Sequence, residues 1–390
     1  MARDARWLVI SALGIVQILA WGSSYYLPAV LAPSIVADTG WPLSWVIGGL
    51  SGGLLVAGLV SPWVGRRIAR HGGRPILAAS ALLLASGQVT IGLAPSLPVF
   101  LGGWVLLGTG MGAGLYDAAF ATLGTLYGEK ARPAITHLTL WGGFASTVCW
   151  PLSAWLVAQV GWRGTCLVYA GIQVAVALPL ILVLIPRKIA TNAPKGEPTA
   201  AVVMTDAERR AFRLLALIVP ISGVVAAVIS VHLLTLLEAR GIALAAAVGL
   251  GALIGPAQVA GRIIEMAGGG RHPPIWTMVA AITLIALGLG LLWGGIAWVA
   301  VALVVYAAGN GVFSIARGTL PLILFGPSRY AVLMGRLALP SLVAQALAPS
   351  VGAFLLEGSG ASATLGAVAG LAIINVLLVT VLWATNDARA

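Results

Sequence analysis

Apolar runs of about twenty residues recur along this chain, separated by short polar breaks. A membrane-spanning helix needs roughly 20 mainly apolar residues. With that template, segments fall at about 7–32, 43–64, 75–94, 97–124, 134–158, 164–185, 212–237, 244–267, 275–293, 296–324, 330–356 and 362–384. One long polar stretch, PRKIATNAPKGEPTAAVVMTDAERRAFR from Pro186 to Arg213, interrupts the series almost at its midpoint. Six segments precede it and six follow. The pattern predicts an all-α membrane protein of twelve transmembrane helices in two pseudo-symmetric six-helix bundles. The expected divisions are 1–186, a cytosolic linker at 187–211, and 212–390.

Composition sharpens this reading. The 390 residues are 60% hydrophobic and only 8% charged, against about 25% charge in a soluble domain. Mean hydropathy is +1.02. Such a chain cannot place its apolar surface in one water-facing core, so it needs lipid as solvent. The 50 glycines suit helices that approach closely in a bilayer. The net charge of +11 would suggest nucleic acid on a soluble protein. Here no basic patch is interleaved with aromatics in a polar domain, which excludes that class.

The basic residues sit instead at segment ends. Arg3, Arg6, Arg66, Arg67, Arg70, Arg74, Lys130, Arg132, the linker, Arg271, Arg329 and Arg389 share one side, while the other carries only Arg163 and Arg240. The positive-inside rule makes the first side cytosolic, with both termini on it. The expected location is a plasma membrane, a bacterial inner membrane in particular. The apolar run after Arg6 exceeds the 7–15 residues of a signal-peptide core, so it reads as a first span. Cys149 and Cys166 lack CxxC spacing and read as free buried thiols. GLSGG at 49–53 fits an esterase string but sits in an apolar helix with no strand before it. No Walker A loop and no HExxH occur. Neither an enzyme nor a cofactor or metal is expected.

The halves read as copies. YGEKARP (127–133) and FGPSR (325–329) each close a fourth segment, 198 residues apart, and the same offset maps Pro151 onto Pro349. GRRIARHGGRP (65–75) has a weaker echo in GRIIEMAGGGRHP (261–273). Internal repeats of this kind build carrier folds.

The stretch Gly65–Pro75 resembles the signature loop of the major facilitator superfamily. Gly65, Arg70, Gly72 and Arg74 match, with Arg66 and Arg67 between them, while the family's acidic position is Ala69. The resemblance implies the major facilitator fold and a self-sufficient monomer in the bilayer. It further implies that a small-molecule substrate and a coupling ion cross by rocking of the halves about a midplane site. Thr39–Gly73 is similar to the monocarboxylate and oxalate/formate carriers, which carry an arginine in the eighth helix. GPAQVAGR (255–262) would supply it as Arg262.

An ionisable group in hydrocarbon costs at least ~2.5–3.5 kcal/mol and needs a partner or a task. Gln258, Arg262 and Glu265 lie at i, i+4 and i+7, one stripe of the eighth segment. Arg262 reads as an anchor for a substrate anion or as a gate residue paired with Glu265 or Asp117. Asn310, Ser314 and Arg317 form a second stripe. Arg317 and Arg336, near cytosolic ends, are gating candidates. Asp117, His232 and Glu265 are candidates for proton coupling, with ion pairing or plain hydrogen bonding as the alternatives. Gln17, Trp21, Tyr25 and Tyr26 share the first segment. They read either as a cavity wall or, in the tyrosines, as an interfacial belt.

The expected function is secondary transport of a small organic anion such as a monocarboxylate, proton-coupled. A proton-driven efflux antiporter for drugs or metabolites is the alternative. A non-transporting sensor or scaffold is the reading from another class.

Overall fold

A computed structural model describes residues 3–187, 204–268, 272–295 and 298–387, with side chains from 6 to 385. Linker positions 188–203, with Lys188 and Lys195, and the basic residues Arg271 and Arg389 lie outside the described residues. The helices are α1 Arg3–Gly22, α2 Leu27–Thr39, α3 Leu43–His71, α4 Gly73–Gly92, α5 Leu97–Gly114, α6 Tyr116–Tyr127, α7 Ala131–Gly143, α8 Ala145–Ile172, α9 Leu178–Leu184, α10 Asp206–Glu238, α11 Leu244–Gly251, α12 Ile254–Ala267, α13 Pro274–Trp293, α14 Val299–Phe325 and α15 Pro327–Asp387. No strand occurs among the described residues.

Nine helical stretches among the described residues are long and apolar enough to cross a membrane. Two of them, Leu97–Leu184 with 88 residues and Pro327–Thr385 with 59, exceed any single crossing. Left-handed glycines break them. Gly128 (φ 56°) and Gly161 (φ 69°) lie at breaks in the first, and Gly360 (φ 78°) at a break in the second.

The chain forms two compact units: Met1–Thr205 with Phe325–Leu339, and Asp206–Leu324 with Pro340–Ala390. Their structural details repeat. Left-handed Gly40, Gly128 and Gly161 correspond to Gly241, Gly326 and Gly360, 201, 198 and 199 residues later. In unit one, Gln173 Nε2 donates to Ser23 Oγ at 2.9 Å. In unit two, Asn375 Nδ2 donates to Ser222 Oγ at 2.8 Å, with Ser222 lying 199 residues after Ser23. The two basic residues of the sparse side repeat a role as well. Arg163 donates to the carbonyls of Gly92 and Ala94 at the end of α4. Arg240 donates to those of Leu292 and Trp293 at the end of α13. Each cation thus caps a helix C-terminus, where carbonyls lack partners and the dipole is negative.

Packing is by small residues, as expected where lipid supplies no hydrophobic drive between helices. In unit one, a Cβ on Gly108 of α5 would meet the backbone of Gly53 on α3. Both cysteines are free and buried, Cys149 against Gly22.

Two local structures differ from the sequence reading. The first span is broken: Ser23–Tyr26 form a turn between α1 and α2. Side-chain donors serve the break: Gln88 donates to Ser23 O, and the Ser24 hydroxyl donates at 2.6 Å to Ala20 O in the last turn of α1. The expected loop at Gly65–Pro75 is almost all helix. RRIARH, after Gly65, contains no glycine or proline, arginine is a good helix former, and basic residues suit a helix C-terminus. Hence α3 runs on to His71, and only Gly72 (φ 78°) separates it from α4.

Candidate functional site

In unit two, α12 and α14 cross at glycines. A Cβ on Gly261 would meet the backbone of Ala308, and one on Gly311 would meet that of Gln258. This close approach sets Arg262 against α14. Its Nε donates to Ser314 Oγ at 3.1 Å and to the Gly311 carbonyl at 3.3 Å. The Ser314 hydroxyl in turn donates to Gly311 O at 2.6 Å, so its orientation is set. The residue is only 6% exposed, and its Nη1 has no hydrogen-bond partner.

Glu265, one turn further on, does not pair with it. The Thr277 hydroxyl donates to Glu265 Oε1 at 2.8 Å and His272 Nε2 lies 3.0 Å away. Among the described residues no carboxylate comes within ion-pair distance of Arg262. Gln258 and Asn310 are half-buried on the two helices. Arg317 is half-buried, one turn beyond Ser314. Of the two expected stripes, the structure therefore brings together Arg262 and Ser314. The Ser314 contact had only a weak signal in the sequence, namely its place on the second polar stripe.

Elsewhere in unit two, His232 Nε2 donates to the Pro349 carbonyl at 2.8 Å, and Gly352 leaves room for the ring. Nε2 must then carry the hydrogen.

Unit one holds the aromatic candidates. Gln17 is fully buried. Its Nε2 donates to Gly114 O at 2.7 Å, and its Oε1 accepts from Trp21 Nε1 at 3.2 Å. Trp21 is thereby oriented against Tyr25, Tyr26 and Tyr116, with ring centroids at 5.2, 6.0 and 5.2 Å. Tyr26 also meets Trp150 at 6.0 Å. The break at Ser23–Tyr26 lets both tyrosines gather round Trp21, and the α-helical period alone does not show this. Gln17→Leu should cost about 1–3 kcal/mol, because the Gly114 carbonyl and the indole N–H both lose a buried partner. A lowered thermal midpoint checks this; an unchanged midpoint would show that the pair contributes nothing.

Asp117 lies in the first turn of α6, where an acid suits the helix dipole. It lines a narrow cavity with Ser61 and Gly65 of α3 and with Gly335 of α15. A Cβ on Gly65 would meet the Ala331 carbonyl, and one on Gly335 that of Ser61, so α3 and the start of α15 touch backbone to backbone. Arg66 is half-buried and Arg70 exposed. Arg67 lies over the Trp63 ring at 5.0 Å, and Arg74 donates to the Leu182 carbonyl at the end of α9. Arg336, next to Gly335, is exposed.

Solved structures share this fold. The human organic anion transporter MFSD10 (TETRAN) superposes with a TM-score of 0.72 at 17% identity, over 97% of this chain and 100% of its own. The Major Facilitator Superfamily transporter FucP, in the outward conformation, gives 0.70 at 14% identity, over 96% and 99%. No curated protein matches in sequence. The family model of the Major Facilitator Superfamily matches residues 13–271. With helices and no strand among the described residues, apolar spans and this match over most of its length, the chain belongs to the Major Facilitator Superfamily, as a multi-pass membrane transporter and not an enzyme.

Proposed function

We propose that this transporter carries a small organic anion of the monocarboxylate kind by alternating access, driven by a proton gradient. In this reading it is a monomer with twelve crossings in bundles 1–186 and 212–390. Both termini are cytosolic, and the membrane is a bacterial inner one. One observation carries the substrate class: Arg262 is buried, held at Nε, and without a carboxylate or an Nη1 partner among the described residues. A cation held in hydrocarbon without a counter-charge is costly. A substrate carboxylate removes that cost, because the guanidinium fork matches it with two parallel hydrogen bonds. Gln258 and Asn310 would serve the rest of a small polar substrate. Gln17, engaged at both ends, acts by positioning Trp21, while Tyr25 and Tyr26 contact substrate. Asp117, His232 and Glu265 remain the coupling candidates. Arg66, Arg67, Arg70, Arg74, Arg317 and Arg336 serve gating.

The aromatic group Trp21, Tyr25, Tyr26 and Trp150 favours a second reading, efflux of flat lipophilic compounds. A thermal-shift panel on detergent-purified protein separates the two. Small carboxylates, other oxyanions and lipophilic cations would each be tested on wild type and Arg262→Ala. A ligand at 100 times its Kd stabilises by about 2.7 kcal/mol, which is readily seen. The expected result is stabilisation by carboxylates in the wild type alone. Equal stabilisation of both proteins by cations would overturn the anion reading in favour of efflux.

A further inference from the structure

Two sides of α3 differ in kind. Ser61 and Gly65 turn towards Asp117 and the start of α15. On the opposite side Leu55, Leu59, Trp63, Arg67 and Arg70 follow one another at spacings of three or four residues, and all five are exposed. Such spacing keeps them on one face. The helix is long and apolar enough to cross a membrane, so this face meets lipid. Its order is that of a phospholipid: two leucines, an indole, then cations. Leu55 and Arg70 stand about 22 Å apart along the axis at 1.5 Å per residue, the depth of one leaflet with its headgroups. The Arg67 guanidinium lies over the Trp63 ring at 5.0 Å, within cation–π range. That contact takes one flat side of the guanidinium and leaves its N–H edge, which meets no acceptor among the described residues. Arg66 is half-buried beside the stripe. With Arg67 and Arg70 it spans about 100° of the helix circumference at 3.6 residues per turn. Neither Arg66 nor Arg67 has a carboxylate at ion-pair distance among the described residues, and the sequence holds no acid from Thr39 to Tyr116. Like charges this close on a helix repel, and a bound anion relieves them.

We infer that this face of α3 holds one anionic glycerophospholipid. Its phosphate lies on Arg67, flanked by Arg70, its acyl chains cover Leu55 and Leu59, and Trp63 stands at the level of the ester groups. The guanidinium fork matches phosphate oxygens with two parallel hydrogen bonds. An indole at the boundary of hydrocarbon and headgroups is in its favoured place. An acidic peptide would answer the arginines and leave the leucines bare. A zwitterionic lipid would bring an ammonium to a surface with no carboxylate to receive it.

Native mass spectrometry of the full chain tests this. Wild type, Arg67→Gln, Trp63→Leu and Arg210→Gln are each titrated with phosphatidylglycerol or with phosphatidylethanolamine of the same acyl chains. Glutamine is a good helix former and both arginines are exposed, so these two variants keep the fold. Arg210→Gln loses the same charge in α10, far from the stripe along the chain. Wild type and Arg210→Gln should bind one phosphatidylglycerol about fivefold more tightly than Arg67→Gln does, and should prefer it to phosphatidylethanolamine. Trp63→Leu keeps the charge but removes the ring that holds it, and should fall between. Equal affinity in wild type and Arg67→Gln would overturn the proposal. An equal loss in Arg210→Gln would do the same, because net charge alone would then explain the binding. So would equal binding of the two lipids. Release of the lipid by inorganic phosphate, but not by chloride at equal ionic strength, would reassign the arginines to a free anion and overturn it too. An unchanged affinity in Trp63→Leu would overturn the part given to the indole.

Discussion

Arg262→Met should make the ligand-free protein more stable while removing its anion binding. The two effects have one cause. The guanidinium is buried, its Nη1 has no partner, and no carboxylate among the described residues neutralises it. Leaving a buried donor unpaired costs about 1–3 kcal/mol, more for a charged group. Methionine has similar length and no polar atom, and its flexible thioether adapts to an irregular space. Ser314 Oγ loses an incoming bond but still donates to Gly311 O. Relief should exceed loss, and the ligand-free thermal midpoint should rise by a few degrees, about 1–2 kcal/mol. Stabilisation by carboxylates should vanish together with their uptake in vesicles. A residue kept for structure behaves in the opposite way: a midpoint several degrees lower in Arg262→Met would show that Arg262 holds α12 to α14 and has no substrate to meet.

Gly311→Val should be the most damaging single change near these residues. The added Cβ would meet the oxygen, carbonyl carbon and Cα of Gln258. These are backbone atoms inside a helix, so no rotamer change relieves the clash and α12 must move as a body. Overpacking of this kind costs typically about 1–3 kcal/mol and more where backbone blocks relaxation. The same movement would carry Arg262, one turn past Gln258, away from Ser314 and the Gly311 carbonyl. Low yield, a midpoint below that of every other variant named here, and loss of carboxylate stabilisation are expected together. Gly255→Ala is the matching control, since a Cβ there meets nothing within 4 Å and alanine favours the helix. Similar behaviour of the two variants would show that helix proximity at Gly311 is not what positions the arginine.

The long apolar runs made the helices legible, because hydrocarbon thickness sets a minimum length that few other pressures imitate. The repeat was legible where proline and glycine mark it, as at Pro151 and Pro349. The break at Ser23–Tyr26 was not. Gly22 and Pro28 flank the break, but inside a long apolar run they read as ordinary span residues, and the turn is held by donors from Gln88 and Gln173, 65 and 150 residues away along the chain. Helical spacing correctly set Arg262 and Glu265 on one face. It could not show that Glu265, near the helix end, would meet His272 and Thr277 from the next segment. The Gly65–Pro75 stretch misled for a different reason: a familiar motif suggested a loop, while its own residues favour helix as far as Gly72.

The interruption of the first span has an electrostatic consequence. A continuous helix keeps its dipole ends in the headgroup regions, where water screens them. Parting at Ser23–Tyr26 places a C-terminus and an N-terminus in the middle of a 34-residue stretch. Each end is equivalent to roughly half an elementary charge, of opposite sign. An ionisable side chain at that depth would pay the full penalty of burial. The turn gives the interior of unit one a local field that the backbone itself carries, with no carboxylate, amine or guanidinium among Ser23–Tyr26.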